Sequence, residues 1–276
     1  MKKEIPTFLK WAGGKRKLIS QIDQHLPAKI DRYFEPFLGG GAMFFYIKQK
    51  YNPSYSCISD INKDLIDTFL AVKNNPSRLI KHLNYFKLNN SKEFYYETRI
   101  LFNKSMIKGI KRSAAFIYLN KTCFNGIYRV NSKNEFNVPC GKYDNPEIYQ
   151  EETIMFASEL LKNVDIKCAD YKEIVSLTKE NDFVYLDPCY DPLKKTSFVS
   201  YTPNKFSEDD NEKLAYFVAQ LKNKDVNVLL SNNITENVAR LYPENQFNKY
   251  VVYCSRSINS VSSGRGKIQE FLISSY

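Results

Sequence analysis

The chain is poor in the residues that hold metals and redox groups. It has two histidines, His25 and His82, and six cysteines, none of them in a C-x-x-C pair. Tetrahedral zinc sites need clustered ligands of those types, so no metal site is expected. Cys57, Cys123, Cys140, Cys168, Cys189 and Cys254 read instead as reduced thiols of a cytosolic protein. No apolar run approaches the roughly 18–20 residues that cross a bilayer. The opening Met1-Lys2-Lys3-Glu4-Ile5-Pro6 has no apolar core of a signal peptide. A cytoplasmic location and no membrane partner are therefore expected. The glycines do not follow the G-x-G-x-x-G spacing, which argues against a nicotinamide site. Tryptophan occurs once, at Trp11.

What the chain does carry is positive charge and a sizeable apolar complement. Its 276 residues can enclose a large core, and 43% of them are hydrophobic. A net charge of +10 makes a polyanion the simplest partner.

The order of elements reads as α/β. A short strand over 31–34 leads into Glu35-Pro36-Phe37-Leu38-Gly39-Gly40-Gly41-Ala42, and an apolar helix starts near Met43. Strand, Gly-rich turn and helix open a Rossmann-like unit. A second strand over 56–59 ends at Asp60. From Asn62, a plausible cap, Leu65, Ile66, Phe69, Leu70 and Val72 recur at helical spacing. Asn75-Pro76 ends that helix and starts the next. The stretch 88–150 reads as helices with loops. Strand-like runs return over 164–169, 183–186, 226–230, 250–254 and 271–273, with a helix over 208–221 among them. The expected layout is a mainly parallel sheet built from 1–62 and 152–276, interrupted by a mostly helical insert over 63–151. The stretch 255–267 reads as a loop.

The chemistry concentrates after two strands. Asp187-Pro188-Cys189-Tyr190 follows the apolar run 183–186. Asp187 can accept a hydrogen bond from an exocyclic amine. The Pro188 carbonyl can accept a second, since proline offers no N–H there. Tyr190 offers a face for stacking. Together they suit an exposed nucleobase. The glycines at 39–41 are flanked by Glu35 and by Asp60, about 20 residues on, where such folds bind a ribose. Carboxylates at that loop favour a nucleoside without a diphosphate, and S-adenosylmethionine has that character. Phe8-Leu9-Lys10-Trp11-Ala12-Gly13-Gly14-Lys15 sets two glycines beside Trp and Lys, a place for close approach of backbone to a ligand.

These blocks, in this order, resemble the Dam-type DNA adenine N6-methyltransferases. The matching strings are FLKWAGGK at 8–15, EPFLGGGA at 35–42, Ser59-Asp60-Ile61-Asn62 and Asp187-Pro188-Cys189-Tyr190. Phe124-Asn125-Gly126-Ile127-Tyr128-Arg129 with Glu135-Phe136-Asn137-Val138-Pro139 is similar to that family's DNA-recognition segment. The resemblance covers nearly the whole length. It implies an S-adenosylmethionine-dependent methyltransferase sheet, with 63–151 as the DNA target-recognition domain.

By match, Trp11, Gly13, Lys15, Phe37, Gly39 and Gly41 line the cofactor site. Asp60 would bind the ribose, Ile61 would pack on the adenine, and Asp170 and Tyr171 would meet its edge. Asp187 borders the cofactor as well, and with Pro188 and Tyr190 forms the catalytic set. Lys15, Phe124, Asn125, Ile127, Arg129 and Pro139 would contact double-stranded DNA. An arginine fork at 129 suits guanine O6 and N7. Lys104, Lys108, Lys111 and Arg112, with Arg256, Arg265 and Lys267, are expected to meet phosphates.

The activity implied is transfer of the methyl group to N6 of an extruded adenine, at GATC, leaving S-adenosylhomocysteine. Transfer would be a direct displacement, and a cognate restriction endonuclease is a possible partner. Two other readings stay open. One is a DNA-binding regulator whose turnover is impaired by Cys189. The other is methylation of RNA or of a protein amide. The family's usual motif has proline where this chain has Cys189, and a second proline stiffens the turn. Cys189→Pro is therefore expected to raise the single-turnover methylation rate, and an unchanged rate contradicts this.

Overall fold

The computed structural model describes residues 4–190, 207–255 and 267–276. Arg256 and Arg265, and with them most of the expected 255–267 loop, lie outside the described residues. Among the described residues, seven strands form one sheet: β1 (Arg32–Glu35), β2 (Tyr55–Asp60), β3 (Asp165–Cys168), β4 (Phe183–Leu186), β5 (Asn227–Asn233), β6 (Asn248–Ser255) and β7 (Lys267–Ser274). Their spatial order is β3-β2-β1-β4-β5-β7-β6. The first five pair in parallel, and β7 runs antiparallel to both β5 and β6. This is the Rossmann-like α/β sheet expected.

The helices are α1 (Ile19–Ile22), α2 (Ala42–Tyr51), α3 (Lys63–Asn74), α4 (Pro76–Leu88), α5 (Lys92–Asn103), α6 (Gly109–Thr122), α7 (Glu151–Leu160), α8 (Glu208–Lys222) and α9 (Glu236–Leu241). Their ends have local causes. The Asn62 side chain accepts from the Leu65 amide at 3.1 Å and caps α3. Pro76 opens α4 at its first turn, where no N–H is needed. Ser207 and Asp210 form a capping box on α8. Among the described residues, no helix is long and apolar enough to cross a membrane.

Strand alternation sorts the core into two layers. Tyr33, Ile58, Tyr185 and Leu229 point into one apolar cluster, and Phe34, Cys57, Val184, Leu186 and Leu230 into the other. Central strand β4 is buried at every position, as a parallel strand covered on both faces must be. Helix α8 covers the second layer with Leu214, Phe217, Val218 and Leu221. The first layer runs without a break from the sheet into α3–α6, through Phe69, Leu83, Phe86, Tyr95 and Tyr118.

Between β2 and β3 lie α3 to α7 and the segment that follows α6. That segment doubles back on itself, with isolated antiparallel backbone β-bridges pairing Cys123 with Cys140, both free thiols, and Val130 with Phe136. Arg112 departs from the expected phosphate role. Its guanidinium grips Asp64 at 2.6 and 2.9 Å and donates to the Phe102 carbonyl at 2.7 Å. Lys104, Lys108 and Lys111 remain on the surface.

The chain leaves β1 toward β2 and β3 on one side, and leaves β4 toward β5 on the other. Neighbouring β1 and β4 therefore flank the point where the sheet order reverses. In open α/β sheets the crevice beyond the carboxyl ends of two such strands receives ligands. Residue 36 and residue 187 both start there.

Phe69 ties α3 to the turn that leaves β1. Its ring lies 4.9 Å from that of Phe8 and 6.2 Å from that of Phe45, and it is fully buried. Phe69→Ala is expected to cost about 3–5 kcal/mol in denaturant unfolding. A cost under about 1 kcal/mol would show that the site can collapse, against this description.

Candidate active site

A cavity of about 780 Å³ opens at the carboxyl ends of β1, β2 and β4. Every residue expected in the catalytic and cofactor sets lines it: Trp11, Gly13, Lys15, Phe37, Gly39, Gly41, Asp60, Ile61, Asp170, Tyr171, Asp187, Pro188 and Tyr190. Five segments distant in sequence thus share one space.

The Gly-rich turn explains part of the shape. Gly39 has φ +49° and Gly41 φ +71°, a region that favours glycine. A Cβ on Gly39 would stand 2.9 Å from the Trp11 indole, and one on Gly41 would stand 3.0 Å from Phe69. The turn is therefore clamped between two aromatic rings. On its other face the Trp11 region meets Tyr128, whose ring stacks at 5.6 Å and 16°.

Asp60 holds this turn from the end of β2. One carboxylate oxygen accepts from the Gly39 amide at 3.1 Å, the other from the Asn62 amide at 2.9 Å. A carboxylate has about four acceptor positions, so capacity remains on both oxygens. Burial pushes the Asp60 carboxyl up, and these amides oppose the rise. Beside it Ile61 leaves 62% of its surface open at the cavity. Phe37 stacks on Tyr171 at 5.2 Å. Asp170 caps the turn Tyr171–Ser176 by accepting from the Lys172 amide at 3.0 Å.

The opposite wall is ionic. Lys15 is 4% exposed, and its Nζ sits 2.8 Å from Asp187 Oδ1. The same ammonium donates to the Gly13 carbonyl at 3.1 Å and lies 4.6 Å from the Tyr190 ring centroid. Burial pushes the Asp187 carboxyl up, and Lys15 limits that rise. Pro188 is buried, and Cys189 and Tyr190 are half-buried.

The expected DNA-contact residues, Lys15 apart, do not line the cavity. Phe124 is 51% exposed, and Asn125 (φ 55°) and Pro139 are also exposed. Ile127 and Arg129 are half-buried. Arg129 Nε donates to Asn137 Oδ1 at 2.7 Å, which orients the guanidinium. The two surfaces adjoin, because Tyr128 and Asn134 of the same segment do reach the cavity wall.

Three contributors were missed in the sequence. Glu270, on β7, accepts from the Tyr190 hydroxyl at 2.8 Å and lies 3.9 Å from Lys15 Nζ. Nothing local marks it, since β7 belongs to the antiparallel end of the sheet. Asn120 is 1% exposed and exchanges bonds of 2.7 Å with both the amide and the carbonyl of Lys10. It also donates to the Gly126 carbonyl at 3.3 Å and so joins the N-terminal block to the segment after α6. Tyr33 donates to Glu35 Oε2 at 2.7 Å beneath the Gly-rich turn. A buried acid directly before a glycine turn was visible; its phenol partner was not.

Fold and site together describe a Rossmann-like α/β protein with a ligand crevice where the sheet order reverses. The model of the D12 class N6 adenine-specific DNA methyltransferases matches residues 11–258, and the chain belongs to that family. It is an adenine-specific DNA methyltransferase. It is 44% identical to the Type II methyltransferase M.MjaIII of Methanocaldococcus jannaschii, over 99% of this chain and 100% of that protein. It is 41% identical to the Type II methyltransferase M1.LlaDCHI of Lactococcus lactis, over 98% of this chain and 95% of that one. Against the DNA adenine methylase of Escherichia coli the identity is 35%, over 98% and 95% of the two chains.

Glu35 gives the site a pH signature. It is 2% exposed, and burial pushes its carboxyl well up, with Asp187 adding to the rise and Tyr33 opposing it. A carboxyl whose pKa is higher in the folded than in the unfolded chain holds its proton more tightly when folded. Its ionisation then costs stability as pH rises above the ordinary carboxylate range. Glu35→Gln removes this cost. The stability of the variant relative to the natural chain is expected to increase as pH rises above the ordinary carboxylate range in denaturant unfolding. A difference independent of pH contradicts the assignment.

Proposed function

We propose that the chain moves a methyl group from S-adenosylmethionine to N6 of adenine at GATC, in double-stranded DNA, on a base swung out of the stack. The observation that carries this reading is the shared cavity, in which Asp187 and Pro188 face the Gly-rich turn held by Asp60.

The residues present fit the methyl donor. Ile61 offers an open apolar face, and Phe37 and Tyr171 form a stacked rim. Asp60 retains acceptor capacity for two hydroxyls. The neighbouring carboxylates suit a cationic ligand and disfavour a diphosphate. Bound there, the donor supplies an activated methyl group on a positively charged sulfur.

The protein's own groups would do the rest. Asp187 and the Pro188 carbonyl would each accept one hydrogen of the target amine and so aim its lone pair. As positive charge develops on that nitrogen, the two acceptors bind it more strongly, which favours the transition state over the substrate. Alignment supplies much of the acceleration. Extruding a base costs a few kcal/mol, and stacking on Tyr190 can return about 1–3 kcal/mol of it. Exposed Phe124 and Asn125 would fill the vacated space, and Arg129, steadied by Asn137, would read a guanine. Residues 63–151 are then the target-recognition part. The Type II names of two relatives support a restriction endonuclease as cognate partner.

Treated DNA is expected to resist a GATC-cutting nuclease that N6-methyladenine blocks, and Asp187→Ala is expected to slow transfer about 10²–10³-fold. Protection at other sites only contradicts the GATC assignment. Full-speed methylation by Asp187→Ala contradicts the pocket chemistry.

A further inference from the structure

The ionic wall of the cavity depends on a carboxylate that does not itself line it. Glu270 is 8% exposed on β7, where it pairs in register with Asn233 of β5 and Val252 of β6. Its Oε2 receives the Tyr190 hydroxyl at 2.8 Å. The same oxygen is 3.9 Å from Lys15 Nζ, which is bonded at 2.8 Å to Asp187. Both groups that Glu270 meets, Tyr190 and Lys15, line the cavity.

Two physical needs converge on this one oxygen. A stacking ring must be held at a fixed angle, and Tyr190 has a polar end that can be tied down. Burial, Asp187 and Glu270 push its phenol up, so the hydroxyl stays a donor. A buried ammonium must also keep a carboxylate partner. Asp187 Oδ1 already holds Lys15, so a target amine that approaches Asp187 would share the carboxylate and weaken that hold. Glu270 is the second carboxylate within reach of that ammonium.

We propose that Glu270 is a positioning residue for methyl transfer: it anchors the Tyr190 ring and takes over the Lys15 ammonium as the target amine occupies Asp187. The inference rests on the Asp187 pocket reading given above. Glu270 touches neither base nor donor. Its effect passes through Tyr190 and Lys15, so it belongs to the rate of transfer and not to the affinity for DNA.

The test is single-turnover methylation of a GATC duplex with excess full-length enzyme, with DNA and donor affinities measured in parallel. Glu270→Gln keeps the size of the side chain and removes its charge. It is expected to slow transfer about 10–100-fold, the scale of one hydrogen bond to a charged group. Both affinities should stay within about threefold of the natural enzyme. Tyr190→Phe probes the link from the other end and leaves the buried carboxylate in place. It should slow transfer as well, and the double variant should be much less impaired than the product of the two losses. A Glu270→Gln enzyme with the natural rate overturns the inference, as do multiplicative losses in the double variant or a loss confined to affinity. If the natural enzyme itself transfers no methyl group to DNA, the pocket reading fails first and this inference falls with it.

Discussion

The site is organised around one ion pair, Lys15 with Asp187, buried where the sheet order reverses. Lys15 comes from the N-terminal block and Asp187 from the end of β4, so the pair joins segments far apart in sequence. Its setting is also its constraint. Burial raises the cost of a bare carboxylate, and the ammonium offsets it. In the proposed reading Asp187 accepts from the target amine, and Lys15 favours its charged, accepting form. In that reading the same ammonium would share the carboxylate with an arriving amine. Glu270, with Oε2 3.9 Å from Lys15 Nζ, is the second carboxylate proposed to take over that ammonium.

Around that pair the structure links three layers that sequence separates. Asp60 and Trp11 hold the Gly-rich turn from opposite sides. Trp11 stacks on Tyr128, one residue before Arg129. Asn120 binds Lys10 and Gly126 together in a fully satisfied buried contact. The surface that presents Phe124, Asn125 and Arg129 is therefore fastened to the wall of the cavity by packed rings and buried hydrogen bonds. A continuous apolar layer from β1 and β4 out to α5 supports the same arrangement.

Much of this was legible because the informative residues are local. Glu35 to Ala42 and Asp187 to Tyr190 directly follow buried strands, so strand, turn and chemistry are contiguous in sequence. Strand positions were read to within a few residues; the 226–230 run, for example, extends to Asn227–Asn233. What could not be read arises from tertiary pairing. Glu270 sits on an antiparallel strand that carries no motif, and only the sheet brings it to Tyr190. Nothing in the sequence marks Tyr33 as the partner of Glu35; the fold brings its hydroxyl there. Arg112 was expected to meet phosphates, yet Asp64, in the first turn of α3, claims it. The side-chain partner, not the residue type, decided each of these cases.

The central claim is geometric: the acceptors at Asp187 and Pro188 receive the amine of an extruded adenine. A crystal structure with S-adenosylhomocysteine and a GATC duplex tests it most directly. The account predicts the target adenine outside the helix, stacked against Tyr190, with N6 about 3 Å from both an Asp187 oxygen and the Pro188 carbonyl. An adenine that remains stacked in the duplex, or an N6 that meets neither oxygen, would contradict it.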